Sequence, residues 1–233
     1  MKVIRITNQY KGINFSSAPK RSVLTQEEQL LLQNYKKQIK GTNNSSLLSF
    51  MKRMIDITHG IAGLIIATPI IILSALAIRA ESKGSVLFKQ DRVGKDGELF
   101  TIYKLRTMYK ENKDKDFDIT NGEDEHITKI GKILRKYSID EFPQFWNIIK
   151  GDMSLIGPRP ITERTHNIRK QFEGYLARYA VKPGASLPYK NTKCTNDIDT
   201  INVEKDYVEN QSLKKDFKTF LGIFATVLGG HNY

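Results

Sequence analysis

The run Met54–Ile78, MIDITHGIAGLIIATPIIILSALAI, decides how this chain is built. From Ile57 to Ile78 it holds 22 residues without a formally charged side chain. As a helix these extend ~33 Å at ~1.5 Å per residue, enough to cross the ~30 Å hydrocarbon core of a bilayer. Three features oppose a simple crossing. Pro69 sits near the middle, where it removes a backbone hydrogen bond and kinks or breaks a helix. Thr68 can return a hydroxyl bond to the freed backbone. Basic residues flank both ends, Lys52 and Arg53 before and Arg79 and Lys83 after, which draws both ends to the cytoplasmic face. A re-entrant helix–break–helix, broken at Thr68-Pro69 and dipping into one leaflet, meets all of these constraints. A buried core helix and a true span are the competing readings.

Outside that run the composition is that of a soluble domain: 39% hydrophobic and 27% charged over 233 residues. That length suits one catalytic domain with an appendage. The formal net charge of +12 is uneven, because residues 1–53 carry 10 Lys/Arg against 2 Asp/Glu. A basic chain wants an acidic partner: nucleic acid, a nucleotide-type substrate or an anionic membrane, and the apolar run favours the last two. The run is no signal peptide, since it follows a long polar segment and lacks a small-residue cleavage site. A single cysteine, Cys194, excludes an internal disulfide framework and cysteine-based zinc or iron–sulfur sites.

Three regions follow: a basic extension over 1–46, the membrane helix over 47–80 and a cytoplasmic catalytic domain over 81–233. Within the extension, Thr25 to Lys40 reads as a helix, with Thr25 and Glu28 as a capping box and Gly41 as its stop. Thr42 to Ser46 is a linker by composition. The extension is either a solvated arm or a basic arm lying on anionic headgroups. Ser85 to Met108 reads as a β-hairpin turning through Gly94-Lys95-Asp96-Gly97. Glu111 to His126 is an acidic loop whose Glu123-Asp124-Glu125-His126 mimics a metal cluster but reads as solvated acids. Ile127 to Ile149 is helical in two pieces meeting near Tyr137-Ser138, with Phe142, Phe145, Trp146 and Ile149 on one apolar face. Leu213, Phe217, Leu221, Phe224 and Leu228 repeat that stripe, to be docked on the core or laid on a membrane surface. The fold class is mixed α/β, helix-rich, with a small β-hairpin.

Two stretches can carry chemistry. In Ser138-Ile139-Asp140-Glu141-Phe142-Pro143-Gln144 the bland reading is helix capping, by Asp140 as N-cap or by Ser138 with Glu141 as a capping box. The functional reading uses the helix N-terminus to keep Asp140 ionised and to welcome phosphate, with Arg135 one turn upstream. A carboxylate nucleophile, a cation and Mg²⁺ bridging oxygens are the parts of phosphate chemistry. In Gly157-Pro158-Arg159-Pro160 two prolines hold Arg159 in an extended loop. Its side chain points outward, either solvated or gripping a phosphate or carboxylate through its two-pronged guanidinium.

Five stretches, in order and at fitting distances, resemble the bacterial sugar transferases, the monotopic phosphoglycosyl transferases that start surface-glycan assembly. They are Lys52-Arg53 through Asp56 ahead of the apolar helix; Phe88-Lys89-Gln90 with Arg92 and Gly94; Tyr103-Lys104-Leu105-Arg106-Thr107-Met108; Arg135 with Ser138 to Gln144; and Lys150 to Pro160. The likeness covers about residues 50–184. It implies a re-entrant helix at the cytoplasmic face of the bacterial inner membrane. It also implies transfer of a sugar-1-phosphate from a UDP-sugar to undecaprenyl phosphate, with Mg²⁺ and release of UMP. By the same resemblance Asp140 is the nucleophile that forms a phosphosugar–aspartyl intermediate and the residue nearest the metal. Glu141 is its partner carboxylate, the proposed base toward the polyprenol phosphate. Arg135 holds the lipid phosphate, while Lys104, Arg106 and Pro158-Arg159-Pro160 belong to the substrate site. No nucleic acid is implied, and the oligomeric state stays open, a homo-oligomer included.

The chain departs from the family after Val181-Lys182-Pro183-Gly184, where Ala185 to Cys194 lacks the usual tryptophan. The departure bears on substrate recognition more than on the chemistry. It also supports the rival reading, a catalytically weak relative acting as a membrane-bound binding subunit of a glycan-assembly complex. A nucleic-acid-binding protein rests on charge alone, with no recognisable binding motif.

Overall fold

The computed structural model describes residues 21–40, 46–109, 126–186 and 196–219. The linker residues 42–45, the acidic stretch through Glu125, the divergent residues 187–195 with Cys194, and the stripe positions Leu221, Phe224 and Leu228 lie outside them. The first helix, α1 (Gln26–Lys40), starts at the expected capping box. The Thr25 amide donates to Glu28 Oε2 at 2.8 Å and the Glu28 amide to Thr25 Oγ1 at 3.2 Å. Residues 21–40 are not a free arm. Leu24 and Leu32 are buried with Val93, Ile161, Tyr175, Tyr179 and Ile201, and Tyr35 and Ile39 pack beside Ile156, Tyr207 and Val208. The basic composition of the extension masks this apolar spacing.

The second helix, α2 (Ser46–Glu81), runs unbroken through Pro69 for 36 residues, or about 54 Å at 1.5 Å per residue. The break expected at Thr68-Pro69 is absent as an interruption, and Thr68 Oγ1 donates to Leu64 O at 2.6 Å, not to the Ile65 carbonyl that Pro69 frees. Both halves of α2 dock on the same domain. In the first half, Gly60 and Gly63 admit Ile149 and Phe145 so closely that a Cβ at Gly63 would lie 2.6 Å from the Phe145 ring. The buried Asp56 accepts from Ser154 Oγ at 2.9 Å and from the Leu155 amide at 2.8 Å. In the second half, Ile71 and Ile78 pack with Leu105 and Leu134. On the opposite side Ile65, Ile66 and Leu73 are exposed, Ile66 to 73%, and no described residue covers them. By length and composition α2 can cross a membrane.

The hairpin forms as its pattern predicts. Strands β1 (Leu87–Val93) and β2 (Leu99–Leu105) pair antiparallel from Leu87↔Leu105 to Val93↔Leu99. Asp96 and Gly97 supply the left-handed turn, at φ 60° and 73°. Next come α3 (Lys129–Lys136), a 3-10 turn over Ile139–Glu141 and α4 (Gln144–Lys150). A second, parallel pair joins β3 (Ser154–Ile156) to β4 (Gly184–Ser186). It depends on Gly157 and Gly184, since a Cβ on Gly184 would sit 2.1 Å from the Gly157 nitrogen. Between these strands lie α5 (Glu163–Arg169) and a 3-10 turn over Tyr175–Ala180; α6 (Asp197–Glu209) and a helical stretch at 213–219 follow.

Candidate active site

Side chains from one element cap another throughout this domain, and that is how the site is held. Glu81, at the end of α2, accepts from the Lys129 and Ile130 amides at 2.7 and 3.0 Å, covering the N-terminus of α3 beside its N-cap Thr128. Arg53 returns the favour at α4, donating to the Ile148 and Ile149 carbonyls at 2.7 and 2.6 Å. Asn147, fully buried, donates to Thr101 O at 2.8 Å and accepts from the Tyr103 amide at 3.2 Å. That bond pair sets β2, and so Lys104, in register against α4.

Between α3 and α4 the chain must reverse, and Ser138 does so at φ 54°, a left-handed conformation costly for a residue with a Cβ. Ile139 then anchors against the Ile78–Leu105–Leu134 cluster. The next two residues are Asp140 and Glu141. Neither caps a helix: Ser138 makes no side-chain cap bond, and the N-cap of α4 is Pro143, which has none to make. The capping reading is therefore corrected. Its geometric reason is the 3-10 turn, which places Asp140 four residues ahead of Gln144, the first residue of α4.

The two carboxylates are treated differently. Asp140 is buried, which pushes its carboxyl up to about 6, with the Glu141 charge pushing the same way. Lys104, Arg135 and its own amide pull back only in part. The sign is opposite to the one expected from a helix N-terminus. Burial also raises Glu141, but Lys104 and Arg159 outweigh it and hold that carboxyl below its ordinary value, with a bond from Gln144 helping. Lys104 Nζ lies 2.7 Å from Glu141 Oε1 and the Arg159 guanidinium 3.7 Å. No side-chain hydrogen bond to the Asp140 carboxylate is present among the described residues.

Arg159 stands as its sequence predicts. Pro158 and Pro160 are buried while Arg159 is exposed. Pro158 O accepts from the Gly184 amide at 2.9 Å, and Arg178 donates to Arg159 O at 2.5 Å. Arg135 Nε donates to Thr107 Oγ1 at 2.9 Å, aiming the side chain alongside Asp140. Arg106 is a different case. Its guanidinium donates to Ser82 O, Ser82 Oγ and Lys83 O at 2.7, 2.8 and 2.8 Å, so it closes the C-terminus of α2 instead of joining the other cations. The structure thus brings together Asp140, Glu141, Lys104, Arg135 and Arg159. Sequence reasoning missed Asn147 and Arg178, although a lone Asn inside an apolar helix face signals the first.

A family described as bacterial sugar transferase matches residues 47–230. The chain is 36% identical over 193 residues to the UDP-N-acetylgalactosamine-undecaprenyl-phosphate N-acetylgalactosaminephosphotransferase of Aeromonas hydrophila, covering 80% of this chain and 45% of that one. It is 37% identical over 188 residues to a UDP-glucose:undecaprenyl-phosphate glucose-1-phosphate transferase of Klebsiella pneumoniae, covering 77% of this chain and 40% of that one. A protein of the same name from Caulobacter vibrioides is 34% identical over 189 residues, covering 78% of this chain and 71% of that one. The chain thus spans less than half the length of the first two relatives.

Proposed function

The chain belongs to the bacterial sugar transferase family, and on that premise we propose that it moves a sugar-1-phosphate from a UDP-sugar to undecaprenyl phosphate, releasing UMP and starting a surface glycan. The observation that carries this reading is the unequal carboxylate pair. Glu141 is ion-paired and held charged; Asp140 is buried, without a cation in contact among the described residues, and its carboxyl is raised to about 6. Such a split assigns two roles to two neighbouring acids.

Asp140 Oδ attacks the sugar-bearing phosphorus of the UDP-sugar. The bond from that phosphorus to the bridging oxygen breaks, and UMP leaves with the oxygen and the electron pair. A phosphate oxygen of the lipid then attacks the same phosphorus, the aspartyl bond breaks, and the Asp140 carboxylate is regenerated. Glu141 takes the proton of the incoming lipid phosphate. Arg135, oriented by Thr107, holds that phosphate, and Arg159 grips the nucleotide–sugar diphosphate. Asp140 together with the substrate's phosphates would hold Mg²⁺, which would draw charge from the diphosphate. Among the described residues no trio of His, Cys, Asp and Glu gathers to hold an ion without substrate.

With detergent-solubilised protein and a panel of UDP-sugars, one UMP per protein should appear before lipid is added, with ping-pong kinetics once it is present. No UMP from any UDP-sugar would overturn the reading in favour of a binding subunit.

We place the domain on the cytoplasmic face of the inner membrane, α2 entering one leaflet and returning through a kink at Pro69 in an otherwise continuous helix. Support comes from the docking of both halves of α2 on one domain, which a bilayer-crossing rod cannot achieve, and from its uncovered apolar side. Burying each such large apolar side chain in lipid is worth roughly 1.5–3 kcal/mol. Anionic lipids suit the basic flanks. In a Cys194→Ser background, cysteines introduced at residues 48 and 85 should be labelled from the same side; labelling from opposite sides would sink the re-entrant arrangement.

A further inference from the structure

The segment 21–40 precedes the matched family region, yet it is packed into the structure that carries Arg159. We infer that this segment is a brace that positions the Pro158-Arg159-Pro160 loop, so that α1 acts on substrate binding without touching the site. The inference rests on the reading of Arg159 as a substrate grip.

The brace has two feet. The first is at the hairpin turn. The Val23 amide donates to Gly97 O and the Leu99 amide to Arg21 O, both at 2.9 Å, so residues 21–23 add a short third edge to the hairpin end. Leu24 fills the space over Gly97, where a Cβ would come within 2.3 Å of its Cγ. Lys36 forms an ion pair with Asp96 on the same turn. The second foot is on the 3-10 turn Tyr175–Ala180 and on α6. Leu32 is buried against Tyr175 and Tyr179, and Tyr35 Oη donates to Glu209 Oε1 at 3.2 Å.

Both feet hold the loop. From the hairpin, the Val93 amide donates to Ile161 O at 2.8 Å, two residues past Arg159. From the 3-10 turn, Arg178 donates to Arg159 O and is itself paired with the buried Glu204 at 3.4 Å. Tyr175 and Tyr179, either side of Arg178, are hydrogen-bonded to each other and through Tyr179 to His166 on α5. Val93, Ile161, Tyr175 and Tyr179 share one buried cluster, and Leu24 and Leu32 complete it. Loosening α1 therefore frees the clamp on the Arg159 carbonyl and the one on Ile161, while Asp140 and Glu141 rest on α2, α3, α4 and the Lys104-Leu105 end of β2.

The test is a double-mutant cycle in the full chain, with Leu32→Ala as the brace variant and Lys36→Ala as a milder one that keeps the core intact. Leu32→Ala should raise KM for the UDP-sugar about 5-fold and leave kcat within about 2-fold; Lys36→Ala should shift KM the same way by less. In an Arg159→Ala background both should lose their effect on KM. A fold defect without positioning would lower kcat equally in both backgrounds, and that result, or unchanged KM in Leu32→Ala, overturns the brace. Full activity in Arg159→Ala alone removes the substrate-grip reading and the brace with it. An impaired Arg159→Ala with additive brace mutations removes the brace only.

Discussion

Asp140→Asn is expected to abolish transfer, by at least about 10³-fold, in a protein that is more heat-stable than the parent. The loss follows from the chemistry: a carboxamide at 140 cannot form the acyl-phosphate bond, so label from the sugar of a UDP-sugar should not remain on the protein. The gain in stability follows from burial. The carboxyl is shifted from 3.8 to about 6, and about 2 pKa units correspond to roughly 3 kcal/mol of disfavoured charge. Folding thus favours the protonated acid. Between pH 3.8 and about 6 the folded state binds more protons at this site than the unfolded one, so its contribution to stability is present at low pH and lost as pH rises through that window. The melting temperatures of parent and variant should therefore converge toward pH 4 and diverge above pH 6, with Asn higher by on the order of 2–4 °C per kcal/mol. The pH–rate profile of the parent should show an acidic limb near 6, and Lys104→Met, which removes a cation opposing the shift, should move that limb upward. A folded Asp140→Asn protein with full activity would end the mechanism. One that is inactive but less stable would mean that the Asp140 charge holds the turn together instead of straining it.

That pairing of activity with strain was half visible in the sequence. The motif marks Asp140 and Glu141 as a pair, but the sign of the Asp140 shift comes from burial, which no local pattern reveals. The hairpin was legible because Asp96-Gly97 allows the left-handed turn and the flanking residues alternate. The helix of α1 was legible from Thr25 and Glu28, its docking was not, because Leu24 and Leu32 find their partners about 60 to 180 residues away. The parallel β3–β4 pair is three residues deep on each side, too short for periodicity to show. At Pro69 the sequence offers a kink or a break, and the structure leaves no gap there. A proline costs a helix one hydrogen bond and a steric push at the preceding turn, which breaks a free helix. Here the packing of Gly60 and Gly63 on α4 and of Ile71 and Ile78 against Leu105 and Leu134 fixes both flanks, so the helix continues across the defect. Arg106 shows the opposite limit: a motif arginine placed by likeness at the substrate turns out to close the end of α2.

Arg159 is expected to separate charge from shape. Arg159→Ala should lower activity about 10²-fold, Arg159→Lys about 10-fold, and Glu123→Ala, in the acidic stretch, less than 2-fold. The ordering has two sources. Lys keeps a cation near Glu141 and so preserves part of the pull that holds that carboxyl ionised, whereas Ala leaves Lys104 to do it alone. Neither replacement keeps the planar fork that grips two phosphate oxygens together, so both lose the bidentate contact. Stability should barely change, because the Arg159 side chain is half exposed and an exposed ion pair at 3.7 Å contributes about 1 kcal/mol at most. The backbone also stays clamped, since Arg178 binds the Arg159 carbonyl and not its side chain. A melting temperature unchanged in all three variants, with activity falling in the stated order, would assign Arg159 to the substrate. Equal activity in all three would reduce the Pro-Arg-Pro loop to a structural element, and loss in Arg159→Ala fully restored by Lys would mean that its charge on Glu141, not its grip on phosphate, is what the reaction uses.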